Sequence, residues 1–223
     1  MRRWLHPRAR MVASQLRGRG IRSRAVLAAM GSVPRERFVD DTAARSAYDD
    51  RALGIANGQT ISQPYIVARM TELLGLDRPG SDPTRHPPRV LDVGTGSGYQ
   101  AAILAAMGVE VVSVERDPAL ADAARQRLAR LGYQVEVVVG DGSEGLPERA
   151  PYDGIIVAAA APVVPPPLLE QLAPGGRLVV PVGDRERQRL TLVERLPDDE
   201  YLRTDGEPCV FVPLIGRYGF PAV

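Results

Sequence analysis

Apolar positions change rhythm near residue 89 of this chain, from helical spacing before it to short continuous runs after it. Residues 9–30, ARMVASQLRGRGIRSRAVLAAM, carry apolar side chains three and four apart on both sides of a Gly18–Gly20 break. That spacing predicts two short helices. In QPYIVARMTELLGL (63–76), Ile66, Met70, Leu73 and Leu74 share one helical face. Ser62 reads as the N-cap, Pro64 suits the first turn, and Gly75 is a C-terminal stop. The stretch RPGSDPTRHPP (78–88) leaves no room for a helix or strand, and predicts a linker loop.

From Arg89 the chain alternates buried strands with amphipathic helices. The predicted strands are RVLDV (89–93), EVVSVE (110–115), VEVVVGD (135–141), YDGIIVAAA (152–160) and RLVVPVG (177–183). Between them lie helices over 100–108 and 118–132, and a short helix and turn over 166–176. Continuous apolar strands separated by helices predict a doubly wound, mostly parallel sheet of the α/β class. Two further strand-like runs, RLTLVERL (189–196) and CVFVPLIG (209–216), are expected to close the sheet as an antiparallel pair across a polar, turn-rich link. The expected organisation is a helical region over 1–77, the linker 78–88, and a core with C-terminal strands over 89–223, together one compact unit.

Composition removes several function classes. With 28 basic and 27 acidic residues among 223, there is no basic footprint for a nucleic acid. Every basic residue is arginine, from which no function follows. The lone Cys209 forms no internal disulfide and fits a reducing cytoplasm. The two histidines, His6 and His86, lie far apart beside prolines, which leaves no Cys/His zinc set and no ready Ser-His-Asp triad. MRRWLHPRARM lacks the apolar run of a signal peptide, and no 18-residue apolar run predicts a membrane span. A soluble protein is expected, monomeric, with no metal, no membrane and no nucleic-acid partner.

The chemistry concentrates in VLDVGTGSGY (90–99). Gly94, Gly96 and Gly98 follow a strand and open a helix, where glycine permits close backbone approach and the helix start offers free N–H groups. Thr95 and Ser97 stand between them. A dinucleotide fingerprint wants G-x-G-x-x-G, whereas this loop is spaced G-x-G-x-G with Asp92 just ahead. A carboxylate there suits an α-ammonium group and disfavours a pyrophosphate. Glu115 ends the second strand, where it can accept from ribose hydroxyls, and Asp141-Gly142 ends the third, where an adenine would lie. Each acid alone is an ordinary cap or loop residue. As a set with the glycine loop they imply S-adenosylmethionine, with S-adenosylhomocysteine as product, and hence a class I methyltransferase fold.

The acceptor is narrowed first by absences. After the fourth strand stands AAAAPVVPPP (158–167), with no acid, amide or aromatic to hold a flipped base. The acidic and histidine cluster of a metal-assisted catechol-type enzyme is missing as well.

VPRERFV (33–39), AYDDRALGIANGQTISQPYIVARMTELL (47–74), YDGIIVAAAAP (152–162), LLEQLAPGGRLVVPVG (168–183) and FVPLIGRYG (211–219), with the glycine loop, resemble the protein-L-isoaspartate O-methyltransferase family over nearly the whole chain. GQTISQP and FVPLIGRYG are specific to that family. The resemblance implies methyl transfer to the α-carboxylate of L-isoaspartyl residues in damaged proteins and peptides, followed by collapse of the ester to a succinimide. It places the active-site serine at Ser62, and puts Gln59, Thr60 and Ile61 beside both ligands. Val210, Phe211 and Val212 are expected to flank the substrate as an extended strand. Tyr99 is expected to pack near the loop and perform no chemistry. Two alternatives stay open at this point: a carboxyl methyltransferase acting on aspartate in a dedicated peptide, and a small-molecule methyltransferase.

Overall fold

A seven-stranded sheet organises the molecule, seen in a computed structural model that describes residues 4–55, 58–77 and 87–222. The chain enters through α1 (Leu5–Arg10), which runs on as a wide π-turn segment, Met11–Leu16, and a tight 3-10 turn, Arg17–Arg19. Gly20, at φ +100°, ends it, and Ser23 Oγ then caps α2 (Arg24–Ser32) by accepting from Val26 N at 3.1 Å. The glycine break thus stands where the sequence sets it. A small hairpin follows, β1 (Leu53–Gly54) with β2 (Thr60–Ile61), and leads into α3 (Pro64–Leu74). Gly75, left-handed at φ +64°, stops that helix.

Ser62 is not the cap of α3. The flanking position belongs to Gln63, held extended at ψ 138° because the proline ring after it forbids helical backbone there. Gln63 makes no side-chain cap; its Nε2 instead donates to Asp50 O at 2.9 Å. Ser62 lies one residue outside the helix. Most of the expected linker, residues 78–86, falls outside the described residues.

The core then alternates: β3 (Arg89–Val93), α4 (Tyr99–Ala106), β4 (Glu110–Glu115), α5 (Pro118–Leu131), β5 (Glu136–Val139), β6 (Tyr152–Val157), α6 (Pro166–Glu170), β7 (Leu172–Gly183), β8 (Gln188–Arg195) and β9 (Tyr201–Cys209). The sheet order is β5-β4-β3-β6-β7-β8-β9, with the first five strands parallel and the last two antiparallel. Strand order reverses beside β3 and β6, the place where such sheets bind ligands beyond their carboxyl ends.

Several boundaries differ from expectation: β5 ends at Val139 and β6 at Val157, short of residues 141 and 160. β7 begins at Leu172, inside the run read as helix and turn, and Gly175, at φ +78°, lies where its pairing with β6 shifts register. A Cβ on Gly176 would meet the carbonyls of Ala173 and Tyr152 at 2.8 Å. The last strand is Tyr201–Cys209, within the link read as turn-rich, and not the apolar run 209–216. As an exposed edge strand β9 needs no apolar alternation, so its polar composition hid it. The apolar run is instead an extended strap that threads back under the sheet, with Ala160 N donating to Val212 O at 2.8 Å and Leu214 N to Ala160 O at 2.7 Å.

Alternate strand residues serve opposite layers. Leu91, Val93, Ile155, Val157, Leu178 and Val180 face one core; Val90, Ile156 and Val179 face Met70 and Leu74 of α3 with Leu104 of α4 on the other. Each such side chain contributes about 1.5–3 kcal/mol when fully buried. A third cluster ties the N-terminal Met11, Ile21, Met30 and Phe38 to Tyr99, Ile103 and Leu128 of α4 and α5. Among the described residues no helix is long and apolar enough to cross a membrane.

Candidate active site

Where β3 ends, Gly94, Gly96 and Gly98 all take positive φ (+91°, +50° and +88°), a backbone path that side-chain-bearing residues rarely follow. Gly94 N donates to Val114 O at 2.9 Å, and Gly98 N to Thr95 O at 2.8 Å. The loop is held from the next strand as well. Gly96 N donates to Glu115 Oε2 at 2.8 Å, while Glu115 Oε1 accepts from Asp117 N at 3.0 Å. Asp117 itself caps α5 through Ala119 N and Leu120 N.

Under the loop runs a buried polar relay. Ser113 Oγ donates to Asp92 Oδ2 at 2.7 Å, so the 2.6 Å contact between Thr95 and Ser113 is a bond that Thr95 donates. Asp92 is wholly buried and off the cavity wall; its Oδ1 has no hydrogen-bond partner among the described residues. Burial, reinforced by the charge of Glu115 and opposed by the Ser113 bond, raises its carboxyl from 3.8 to about 7.

A cavity of 410 Å³ lies above these groups, a size that suits a cofactor plus the end of a side chain. Gly94, Thr95, Gly96, Ser97, Glu115 and Gly142 line its sheet side. Gln59, Thr60, Ile61 and Ser62 line the same cavity, delivered by β2 and the turn before α3. The structure therefore brings the glycine loop and GQTIS into one chamber.

Five expected residues lie off the cavity wall: Asp92 beneath the loop, Gly98 at the start of α4, and Asp141, Val210 and Phe211. Asp141 faces the strap: Oδ1 accepts from Ser143 N (2.9 Å) and Ser143 Oγ (2.7 Å), and Oδ2 from Arg217 N (2.7 Å). Partial burial would raise its carboxyl, but those donors outweigh it and the net shift is downward. A Cβ on Gly216 would collide with Asp141 Oδ1, so the clasp needs glycine there. Val210 points to solvent, 76% exposed, and Phe211 is fastened by its N–H to Gln188 Oε1 at 2.8 Å. The wall is Val212–Ile215 instead, displaced because the strap enters the chamber only after Gln188 has anchored it.

Other wall residues had no local signal. Gln100 donates from Nε2 to Thr71 Oγ1 at 2.9 Å, and Ala158 and Ala159 close the floor. Tyr99 lines the cavity as well as packing, its ring edge-on to Phe38 at 5.4 Å.

Comparison with known proteins gives the family. The family described as protein-L-isoaspartate(D-aspartate) O-methyltransferase matches residues 8–219. The chain belongs to this family. A protein-L-isoaspartate O-methyltransferase of Methanoculleus marisnigri is 54% identical over 215 residues, covering 96% of this chain and 93% of that protein. A solved structure of the same description superposes at TM-score 0.81 with 30% identity, over 95% of this chain and 67% of that one. One from Plasmodium falciparum, in complex with S-adenosyl-L-homocysteine, shares the fold at TM-score 0.74 and 24% identity, over 92% of this chain and 96% of that one. The chain is thus an S-adenosylmethionine-dependent carboxyl O-methyltransferase of isoaspartyl residues, on the class I methyltransferase fold.

Proposed function

We propose that Ser62, with Gln59–Ile61 leading into it, holds the α-carboxylate of the isoaspartyl residue across the chamber from the glycine loop. The observation that carries this reading is the shared 410 Å³ cavity, which Ser62 and Gly94–Ser97 both line. The residues fit the cofactor's chemistry. Glu115 has its carboxylate fixed by two backbone donors and keeps lone pairs for ribose hydroxyls. The unpartnered Asp92 Oδ1 offers an acceptor beneath the loop, and Gly142 leaves the adenine end open. Asp92 thereby acts chiefly as the base of the Ser113–Thr95 relay that shapes the loop, and Asp141 by seating the strap.

When bound, S-adenosylmethionine supplies an electrophilic methyl group on a sulfonium. The chain's own task is then small. A substrate carboxylate is already ionised at neutral pH, so no side chain has to remove a proton. Ser62 and its neighbours orient the carboxylate, and the strap Val212–Ile215 keeps water out, which is catalysis by proximity. We assign the protein to the cytoplasm as a monomer that reads no nucleic acid, on its single cysteine and near-balanced charge.

The test offers methyl-labelled S-adenosylmethionine with an isoaspartyl peptide and its aspartyl twin. A base-labile label on the isoaspartyl peptide alone is expected. Labelling of the twin alone would overturn the reading.

A further inference from the structure

Arg35 is the largest side chain buried completely in the protein, and no carboxylate comes within ion-pair distance of it among the described residues. One edge of its guanidinium spans two carbonyls: Nε donates to Ala47 O at 2.7 Å and Nη2 to Ser62 O at 2.8 Å. Its Cζ lies 4.9 Å from the centroid of the Tyr99 ring, the first residue of α4 and part of the cavity wall. Nη1 has no hydrogen-bond partner among the described residues.

Stability alone does not account for this arrangement. A buried cation without a counter-ion is costly, and an apolar side chain of similar volume would fill the space more favourably. Burial draws the Arg35 pKa downward, against Tyr99 and Tyr48, yet a guanidinium stays charged at neutral pH. What the charge and the fork do together is join three segments at one point: the turn after α2, the loop at Ala47, and the turn carrying Ser62.

The geometry points to Arg35 as a positioning residue for methyl transfer, which fixes the Ser62 turn through its carbonyl and lends an unneutralised positive charge to the wall that receives an anionic substrate. It deepens the assignment of Ser62 and rests on it. The planar fork satisfies both carbonyls at once; a lysine ammonium at the same place keeps the charge but not the two-point geometry. The effect falls mainly on the peptide side, because both hydrogen bonds of Arg35 go to the Ala47 and Ser62 carbonyls and neither goes to Gly94–Gly98.

The experiment compares Arg35→Met, Arg35→Lys, Phe38→Leu and Ser62→Ala, measuring kcat and KM for an isoaspartyl peptide, S-adenosylhomocysteine affinity, and thermal midpoint. Arg35→Met is expected to lower peptide kcat/KM by about tenfold or more, with homocysteine-product affinity within about twofold, and Arg35→Lys to recover part of the loss. Phe38→Leu disturbs the same packing against Tyr99 without touching the Ser62 carbonyl, and is expected to keep kcat/KM within about threefold. An equal kcat/KM loss in Phe38→Leu at the same fall in thermal midpoint overturns the proposal. So does a parallel fall in product affinity in Arg35→Met. If Arg35→Met does not accumulate folded, Arg35→Lys decides: unchanged peptide kcat/KM overturns the proposal, and a loss confined to the peptide supports it. Ser62→Ala separates the two assignments, since full activity there removes the Ser62 reading, while a crippled Ser62→Ala beside an unaffected Arg35→Met removes Arg35 alone.

Discussion

The two walls of the chamber are built on opposite plans. The cofactor wall is local. Asp92, Ser113 and Glu115 stand on two neighbouring strands and hold the loop after β3 by short bonds, Asp92 through Ser113 to Thr95 and Glu115 to Gly96. The substrate wall is assembled from distant pieces. The Ser62 turn hangs on Arg35 and on the Gln63 bond to Asp50, while the strap is fixed by Gln188 and Asp141. A wall made of adjacent strands serves any acceptor the fold has to face. A wall made of ties across the chain can be re-aimed by changing one tie, so on the proposed roles specificity is expected to reside there.

The sharpest way to separate the walls is Ser62→Ala. Turnover on an isoaspartyl peptide should fall on the order of 10²-fold, as for loss of a single oriented donor, with S-adenosylhomocysteine affinity intact by calorimetry. Equal losses in both would show that Ser62 only shapes the turn. Glu115→Ala should do the converse, weakening S-adenosylhomocysteine roughly 10-fold or more while leaving the peptide KM nearly unchanged, because it removes charge-assisted hydrogen bonds. Gly216→Ala pushes a methyl into the Asp141 clasp and should raise the peptide KM several-fold, about tenfold at most, with a smaller effect on cofactor affinity.

The mildest test on catalysis uses pH. In the folded state Asp92 keeps its proton up to about 7, whereas the unfolded chain releases it near 3.8. At this site the native protein therefore binds more protons between those values, and the contribution of Asp92 to stability falls as pH rises from about 4 to 7. Asp92→Asn has nothing to titrate. Its thermal midpoint should gain on the wild type across that window, by roughly 5 °C or more, and the gap should level off above it. A constant gap would show that Asp92 ionises as readily inside as outside.

The same difference between walls governs what the sequence discloses. The glycine loop and the acids at the ends of β3 and β4 are legible because strand, turn and helix start are consecutive in the chain. Ser62 as a site residue was legible only through the family resemblance, and its capping role failed because Pro64 moved the boundary by one residue. Asp141 lies past β5, which ends at Val139, and its partner is 76 residues away and leaves no local trace. Arg35 sits in RER between Pro34 and Phe38, where composition alone describes a solvated turn. The edge strand β9 was missed for a related reason, since an exposed strand has no apolar period to read.

The strap carries one more consequence, concerning the order in which the enzyme comes into being. All five parallel strands and the glycine loop are complete by Gly183, whereas Val212–Ile215 and the Arg217 amide that pins them come after the final hairpin. A chain leaving the ribosome N-terminus first has its nucleotide-shaped seat before it has a place for a client. On the proposed roles, the segments that seat the cofactor precede in synthesis the strap that closes the substrate side.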